Sequence, residues 1–245
     1  VLLAKFRKKV MNPNKIKSFY DNVIDFAMNK TTNRGSTSGQ NKTKKNVKNN
    51  PKIMANILGY MDGFGPSQKV MMKKKNIHPK FNVRETRFNI QYPEKWNNAY
   101  PLIKEINDKY AKYIPQPYKK QRHKADQTHY KIKDTAFTSV TTNINFKTHI
   151  HKDKGDDEEG FGNLIVIEDG KYEGSETCFP QYGIGIDVRQ GDILFMNVHE
   201  YHGNLPMKPE NKKTRRMSVV CYLRLNIWKI TKHIEKSVLR QHDNL

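Results

Sequence analysis

The chain has 245 residues, of which 36% are hydrophobic and 10% aromatic, and this suits one domain with an appendage. No stretch approaches the roughly 18–20 apolar residues of a membrane helix, and two cysteines are too few for a disulfide scaffold or a four-cysteine zinc site. The net charge is +21, from 45 Lys and Arg against 24 Asp and Glu, which makes a polyanion the expected partner, and we expect no membrane partner.

The first part of the chain predicts a helix followed by a linker. Residues 14–29 place Ile16, Phe19 and Val23 at helical spacing, so residues 1–30 are predicted to form an N-terminal helical segment. Residues 31–51 contain almost no apolar side chains and predict a flexible basic linker, with a DNA-binding arm as the alternative. The main domain is then expected over residues 52–245.

The main domain is predicted to be α+β, with helices preceding an antiparallel core. A helix is expected over residues 99–113, with Pro101 in its first turn. Short β-rich segments separated by Gly, Asp or Asn follow, at residues 136–146, 162–168, 183–188, 192–198 and 217–225. Helical spacing returns over about 228–241. This order predicts a sandwich or barrel core over about 135–226, with the N-terminal helices and a C-terminal helix packed outside it.

The charge is distributed unevenly along the chain. Residues 1–150 carry +22, residues 151–210 carry −8 and residues 211–245 carry +7, which together give +21. A lysine- and asparagine-rich chain from an AT-rich genome would also be basic, and this interpretation stays open. An acidic centre within a basic frame favours a cation site surrounded by a nucleic-acid-binding surface. We expect an intracellular protein, nuclear if its source is eukaryotic.

A candidate metal site begins at the end of the first predicted strand of the core. His151 and Asp153 lie two residues apart, so their side chains share one face of an extended segment. A lone His-x-Asp pair is common in basic proteins and is weak evidence by itself. His199 and His202 are two candidates for a third ligand. Two histidines and one carboxylate form the facial triad of non-haem Fe(II), which leaves positions open for a cosubstrate and oxygen.

Features that follow in the chain strengthen this interpretation. The turn residues Gly191 and Asp192 precede an apolar segment that leads to His202. On the next predicted strand, Arg216 and Ser218 lie two residues apart and on one face. An arginine with a neighbouring hydroxyl is suited to bind a terminal carboxylate.

The combined pattern resembles the Fe(II)/2-oxoglutarate dioxygenases, and within them the TET/JBP group of nucleic-acid base hydroxylases. The segments that carry the resemblance are HIHKDKGD, the long run from GFGNLIVIEDG to NVHEYHGN and, upstream, GYMDGFGP and VRETRF. It covers about residues 52–226, and the part from 135 to 226 is the specific one. The resemblance implies a double-stranded β-helix (jelly-roll) fold.

The resemblance also implies roles for site residues. The catalytic iron would be held by His151, Asp153 and His202, with His199 as the competitor for the third position. Arg216 would bind the far carboxylate of 2-oxoglutarate with help from Ser218. Asn143, on the strand that enters the site, would touch the cosubstrate or the base, or else face elsewhere as a ladder residue.

The implied reaction is oxidation of the methyl group of 5-methylcytosine in DNA to hydroxymethyl, and onward to formyl or carboxyl, with O₂ and 2-oxoglutarate as cosubstrates. The base would be flipped out of the duplex. Asp156 would accept its exocyclic amine, unless residues 156–159 form only a solvated acidic loop. Arg84 and Arg87 are among the basic residues expected to hold phosphates. The alternatives are a thymine hydroxylase, an oxygenase of RNA or protein, and a non-catalytic nucleic-acid-binding module.

Overall fold

The computed structural model describes residues 2–32, 34, 37, 52–235 and 238. Within these residues the helices are α1 (Pro13–Ala27), α2 (Pro66–Lys74), α3 (Arg87–Gln91), α4 (Pro93–Tyr113), α5 (Pro115–Asp126) and α6 (Leu225–Thr231). The strands are β1 (Ala4–Arg7), β2 (Ala55–Asp62), β3 (Val83–Glu85), β4 (Ser139–Ile144), β5 (Gly162–Asp169), β6 (Tyr172–Gly174), β7 (Thr177–Phe179), β8 (Ile184–Ile186), β9 (Ile193–Met196), β10 (Gly203–Asn204), β11 (Met207–Pro209) and β12 (Arg215–Tyr222).

The strands form antiparallel sheets that face each other. A seven-stranded sheet has the order β1-β9-β5-β12-β4-β2-β3, a three-stranded sheet the order β10-β7-β8, and β11 pairs with β6. Helices α1 and α4 cover the outer face of the large sheet. The predicted α+β class, with an antiparallel core and helices outside it, is confirmed.

The alternation of side chains along β12 decides which face of the large sheet holds the site. Met217, Val219 and Cys221 are fully buried and point into the layer of helices. The intervening residues Ser218 and Val220 face the opposite side, because successive side chains of a strand point to opposite faces. One strand therefore anchors the helical layer and lines a cavity on the inner face.

Helix α1 belongs to the same core as the sheet. It starts at Pro13, one residue before the predicted start, because the Asn12 side chain accepts hydrogen bonds from the backbone N–H groups of Asn14 and Lys15 and caps the helix. Its apolar face, with Phe19 fully buried, packs on α4 and the large sheet. The helix is therefore part of the hydrophobic core.

Two predicted helices have different bounds in the structure. Helix α4 begins at Pro93, six residues before the expected start, so Pro101 lies inside the helix, and its predicted place in the first turn is wrong. Helix α6 begins at Leu225 and ends at Thr231, whereas the sequence predicted about 228–241. Residues 236, 237 and 239–245 lie outside the described residues.

Some structure was not predicted. Helices α2, α3 and α5 were missed because their sequences are polar and carry weak apolar periodicity. The predicted linker over residues 31–51 falls mostly outside the described residues. Within it, Thr31 pairs with Ile53, and the Thr37 carbonyl accepts a hydrogen bond from the His149 N–H. No helix in the described part of the chain has both the length and the apolar character needed to cross a membrane.

We expect Phe19→Ala to lower the free energy of unfolding by about 3–4 kcal/mol, because it leaves a cavity between α1, α4 and the sheet. Urea denaturation followed by circular dichroism measures this. The control Lys17→Ala, on the exposed side of α1, should change it by less than about 0.5 kcal/mol. Equal effects of the two variants would show that α1 does not share the core.

Candidate active site

Two histidines meet where the two facing sheets come together. His151 and His202 form an antiparallel bridge, in which each backbone N–H donates to the other residue's carbonyl at 2.9 and 3.0 Å. The Asp153 N–H donates to the Val198 carbonyl at 2.9 Å, which brings the carboxylate to the same place. One ligand atom from each of His151, Asp153 and His202 lies within 4.8 Å of the others.

Backbone contacts orient both imidazoles toward the carboxylate. Nδ1 of His151 is 2.7 Å from the His149 carbonyl, and Nδ1 of His202 is 2.9 Å from the Glu200 carbonyl. Since a carbonyl can only accept, each Nδ1 carries a proton, and Nε2 is the ring nitrogen left to bind a metal. The Nε2 atoms lie 3.1 and 3.7 Å from the two oxygens of Asp153.

The ionisation states suit a metal site. Burial opposes the ionisation of Asp153, but its interactions with the His151 and His202 imidazoles outweigh burial, and the pKa of the carboxyl lies below its usual value. Burial is the main reason why the pKa of His202 is also lowered, which favours the neutral imidazole. A carboxylate with two imidazoles is the donor set of an Fe(II) facial triad, so these residues fit the expected metal.

His199 lies outside this cluster. Its Nε2 is 3.2 Å from the Asp157 carbonyl, and its backbone N–H donates to the Asn197 side chain. Among the described residues, the metal-binding geometry therefore joins His202, and not His199, to His151 and Asp153.

Arg216 forms one end of a cavity of 160 Å³ that adjoins the triad. The guanidinium is buried, its Nε has no hydrogen-bond partner, and Nη2 is 3.4 Å from the Ser175 carbonyl. Burial lowers the pKa of Arg216, and no carboxylate lies within ion-pair distance of it in the described part of the chain. A buried cation without a counter-charge is a suitable site for a carboxylate ligand.

Ser218 and Asn143 line the same end of the cavity. The Asn143 amide donates to the Ser218 hydroxyl at 3.2 Å, and its Oδ1 is buried without a partner. Arg215 points elsewhere, since its Nη1 donates to the carbonyls of Lys212 and Thr214. The arrangement of Arg216 and Ser218 opposite the triad fits a short dicarboxylate such as the expected 2-oxoglutarate.

The other end of the cavity holds a carboxyl and a guanidinium. Asp156 is buried, and burial together with repulsion from Asp153 raises the pKa of its carboxyl to about 8. Arg224 places Nη1 3.9 Å from the Asp156 Oδ1, and its Nε donates to Asp62 at 3.0 Å. The alternative of a solvated acidic loop is wrong for Asp156 and Asp157, which are both buried.

Arg224 and Asp62 were missed by the sequence analysis. The signal for Arg224 was present, because it continues the every-second-residue series of Arg216, Ser218, Val220 and Tyr222 along the cavity. The sequence carried no signal for Asp62, because it lies 162 residues before Arg224 in the chain. Arg84 and Arg87 do not line this cavity and lie together around another one.

Comparison with known proteins adds to this geometry. A family profile described as Tet_JBP, the oxygenase domain of the 2OGFeDO superfamily, matches residues 70–225. The chain belongs to this Tet/JBP family. It is therefore a 2-oxoglutarate-dependent dioxygenase domain that uses Fe(II), and the predicted family, enzyme class, cofactor and cosubstrate are confirmed.

The similar proteins are much longer than this chain. JBP2 of Trypanosoma cruzi, a bifunctional helicase and thymine dioxygenase, is 32% identical over 194 residues, which cover 77% of this chain and 16% of that protein. JBP1 of Trypanosoma brucei brucei, a thymine dioxygenase, is 29% identical over 143 residues, 58% of this chain and 17% of that protein. The chain thus spans about a sixth of the length of these relatives.

Among solved structures, NgTET1 in complex with 5mC DNA has a TM-score of 0.61 and 12% identity, and the match covers 99% of this chain and 80% of that one. This similarity shows the fold, and it confirms the predicted double-stranded β-helix.

We expect His202→Gln to abolish stoichiometric binding of Fe(II) or Mn(II), because it removes one of three converging ligands. Metal content after anaerobic loading and desalting measures this. His199→Gln serves as the control and should keep about one metal ion per chain. The opposite pattern would make His199 the ligand.

We expect Arg216→Gln to weaken 2-oxoglutarate binding by about 100-fold, because it removes the charge that faces the far carboxylate. Calorimetry with Mn(II)-loaded protein under anaerobic conditions measures the affinity without turnover. Arg215→Gln removes the same charge from the neighbouring residue and should change the affinity by less than about threefold. A larger effect at Arg215 would contradict the assignment.

Proposed function

We propose that this domain oxidises the 5-methyl group of a pyrimidine base in DNA to hydroxymethyl. One observation carries the proposal. A single cavity has Arg216 and Ser218 at one end, the His-Asp-His cluster beside it, and a paired carboxyl and guanidinium at the other end. This order provides a carboxylate site, a metal site and a polar site for a base edge.

At the cosubstrate end, each residue has a distinct task. His151, Asp153 and His202 hold Fe(II), and Arg216 with Ser218 binds the far carboxylate of 2-oxoglutarate. When bound, Fe(II) and 2-oxoglutarate would activate O₂: one oxygen atom converts a methyl C–H bond into C–OH, and the other leaves in succinate as 2-oxoglutarate loses CO₂. The Asn143 amide donates to Ser218 and leaves the serine O–H free to point at the carboxylate. The burial of Arg216 keeps water away from this contact.

At the base end, Asp156 and Arg224 read a flipped pyrimidine. A base stacked inside a duplex cannot reach a metal at the bottom of a cavity, so flipping is required. Thymine presents O4 and N3–H along the edge beside its methyl group, whereas 5-methylcytosine presents the N4 amine and N3. A guanidinium donor beside a carboxyl group can pair with either edge, and the protonation of Asp156 helps to decide which one it prefers.

We place thymine first and 5-methylcytosine second. Relatives at 29–33% identity are named thymine dioxygenases, which supports thymine. A neutral Asp156 carboxyl would donate to O4 of thymine, and an ionised one would accept from the amine of 5-methylcytosine, which is the observation that keeps the second candidate. In a eukaryotic source we propose a nuclear location, where the DNA substrate lies.

The test is nucleoside mass spectrometry after incubation with Fe(II), 2-oxoglutarate, ascorbate and duplex DNA that contains thymine and 5-methylcytosine. We expect hydroxymethyluracil as the main product. Hydroxymethylcytosine instead would select the second candidate. If neither product forms and no succinate is released, DNA is not the substrate. The remaining alternatives are then an oxygenase of RNA or protein and a non-catalytic nucleic-acid-binding module.

We expect Asp156→Ala to lower kcat/KM for the oxidised base by about 10- to 100-fold, because a buried hydrogen-bonding partner of the base edge is lost. The same mass-spectrometric assay, run at several DNA concentrations, measures it. Glu158→Ala alters an exposed carboxylate of the same loop and should retain activity. Equal losses in both variants would remove Asp156 from base recognition.

A further inference from the structure

Three cavities follow one another from the active site across the large sheet toward α1 and α3. The active-site cavity shares Thr141, Tyr222, Arg34 and Arg224 with a second cavity of 290 Å³. The second cavity in turn shares Ile57 and Met61 with a third, of 440 Å³. The three therefore form one continuous groove that starts at the base end of the active site.

A cross-strand row of side chains forms the floor of this groove. Val220 on β12 lies opposite Thr141 on β4, and Thr141 lies opposite Ile57 on β2. Val220 and Thr141 line the first cavity, Thr141 and Ile57 the second, and Ile57 the third. Two strand spacings separate the ends of the row, or about 10 Å. The groove thus runs across the sheet at the scale of a few nucleotides.

Its far end contains two arginines without carboxylate partners in the described part of the chain. Arg84 is fixed by three contacts: Nε donates to the Gly63 carbonyl at 2.9 Å, Nη1 to the Glu85 carbonyl at 3.2 Å, and Nη2 lies 3.5 Å from the Met61 sulfur. Two of its five N–H donors stay free. Because the guanidinium is already fixed, binding an anion costs it little further ordering.

Arg87 and Tyr92 complete this end. The Arg87 Nε donates to the Gln91 side chain at 2.7 Å, and Arg87 lines the third cavity. The Tyr92 ring is 42% exposed, yet it is packed against Phe26 and Phe88, with ring centroids 6.5 and 5.9 Å apart. A fixed aromatic ring beside two guanidinium groups without carboxylate partners in the described part of the chain suits a phosphate with an attached base.

We propose that this groove holds the DNA strand on one side of the flipped base. Arg84 and Arg87 bind the phosphate of a flanking nucleotide, and its base stacks on Tyr92. The proposal rests on the proposed function and adds that this groove contacts the strand on only one side of the flipped base. Such a site makes activity depend on the length of DNA on one side of the target, because only that side reaches the arginines.

The first test measures binding of a fluorescent 12-nucleotide single strand to metal-free protein by anisotropy. The double variant Arg84→Gln/Arg87→Gln should bind about tenfold more weakly, and its slope of log affinity against log salt should fall by about 1, for one lost phosphate contact. Lys212→Gln/Lys213→Gln removes the same charge from the far end of β12 and should bind like the wild type. Equal weakening in both double variants would overturn the proposal.

A second test uses oligonucleotides shortened by one nucleotide at a time from either end. For the wild type, loss of one flanking nucleotide on one side only should weaken binding by about tenfold. In Arg84→Gln/Arg87→Gln, and in Tyr92→Ala, the same truncation should lower the binding affinity little further, because the variant has already lost the contact with that nucleotide. The proposal would be overturned if truncation from either end weakened binding equally, or if the variants lost as much affinity on truncation as the wild type does.

These outcomes are distinct from a failure of the proposed function. Calorimetric 2-oxoglutarate binding should be the same in wild type and variants, which shows that the active site is intact. Suppose that the wild type oxidises DNA, and that the double variant binds DNA with wild-type affinity and loses the same affinity when the oligonucleotide is shortened. This result would reject only the proposal for the groove. Wild-type protein that binds no DNA would remove the proposed function together with it.

Discussion

The buried guanidinium of Arg216 is the constraint on which the active site depends. Taking a cation out of water costs several kcal/mol unless an anion or hydrogen bonds replace the lost solvation. Nη2 of Arg216 lies 3.4 Å from the Ser175 carbonyl, and its Nε has no partner among the described residues. The protein keeps this charge in place through the pairing of β12 with β4 and β5 on both sides. In the proposed function, a carboxylate of 2-oxoglutarate would supply a counter-charge here, so the burial that costs stability in the free protein would favour binding of the cosubstrate.

The central position of β12 also explains why the helical layer matters for chemistry. Met217, Val219 and Cys221 are fixed among the side chains of the helices and the sheet core. The alternate residues of the strand face the opposite side and line the cavity one after another, from Arg216 at one end to Arg224 at the other. Since a shift of one residue in register would exchange the two faces, the apolar contacts of the outer layer set the position of every polar group along the strand.

Local patterns made part of the fold and site predictable, and long-range contacts limited the rest. The His151 and Asp153 pair and the Arg216 and Ser218 pair follow from period-two alternation, which the sequence displays directly. Helix α5 is polar, and its buried Gln121 acts through hydrogen bonds with the Ala136 carbonyl and Tyr110, which no apolar periodicity reports. The start of α4 at Pro93 was hidden for a similar reason, because its first two turns carry few buried side chains.

Gly155 lies where the loop after Asp153 packs against the segment that carries Arg224. A Cβ at this position would lie 1.7 Å from Nη1 of Arg224, so only glycine lets the guanidinium lie against the loop between Asp153 and Asp156. The Gly155 carbonyl accepts a hydrogen bond from the Leu225 N–H, and the Asp157 N–H donates to the Leu223 carbonyl. The loop that leaves the metal ligands is thus bonded to the segment that carries Arg224. If Arg224 contacts the base as proposed, this link would hold the base edge and the metal ligands in a fixed relative position, which a methyl group needs in order to react at the metal site.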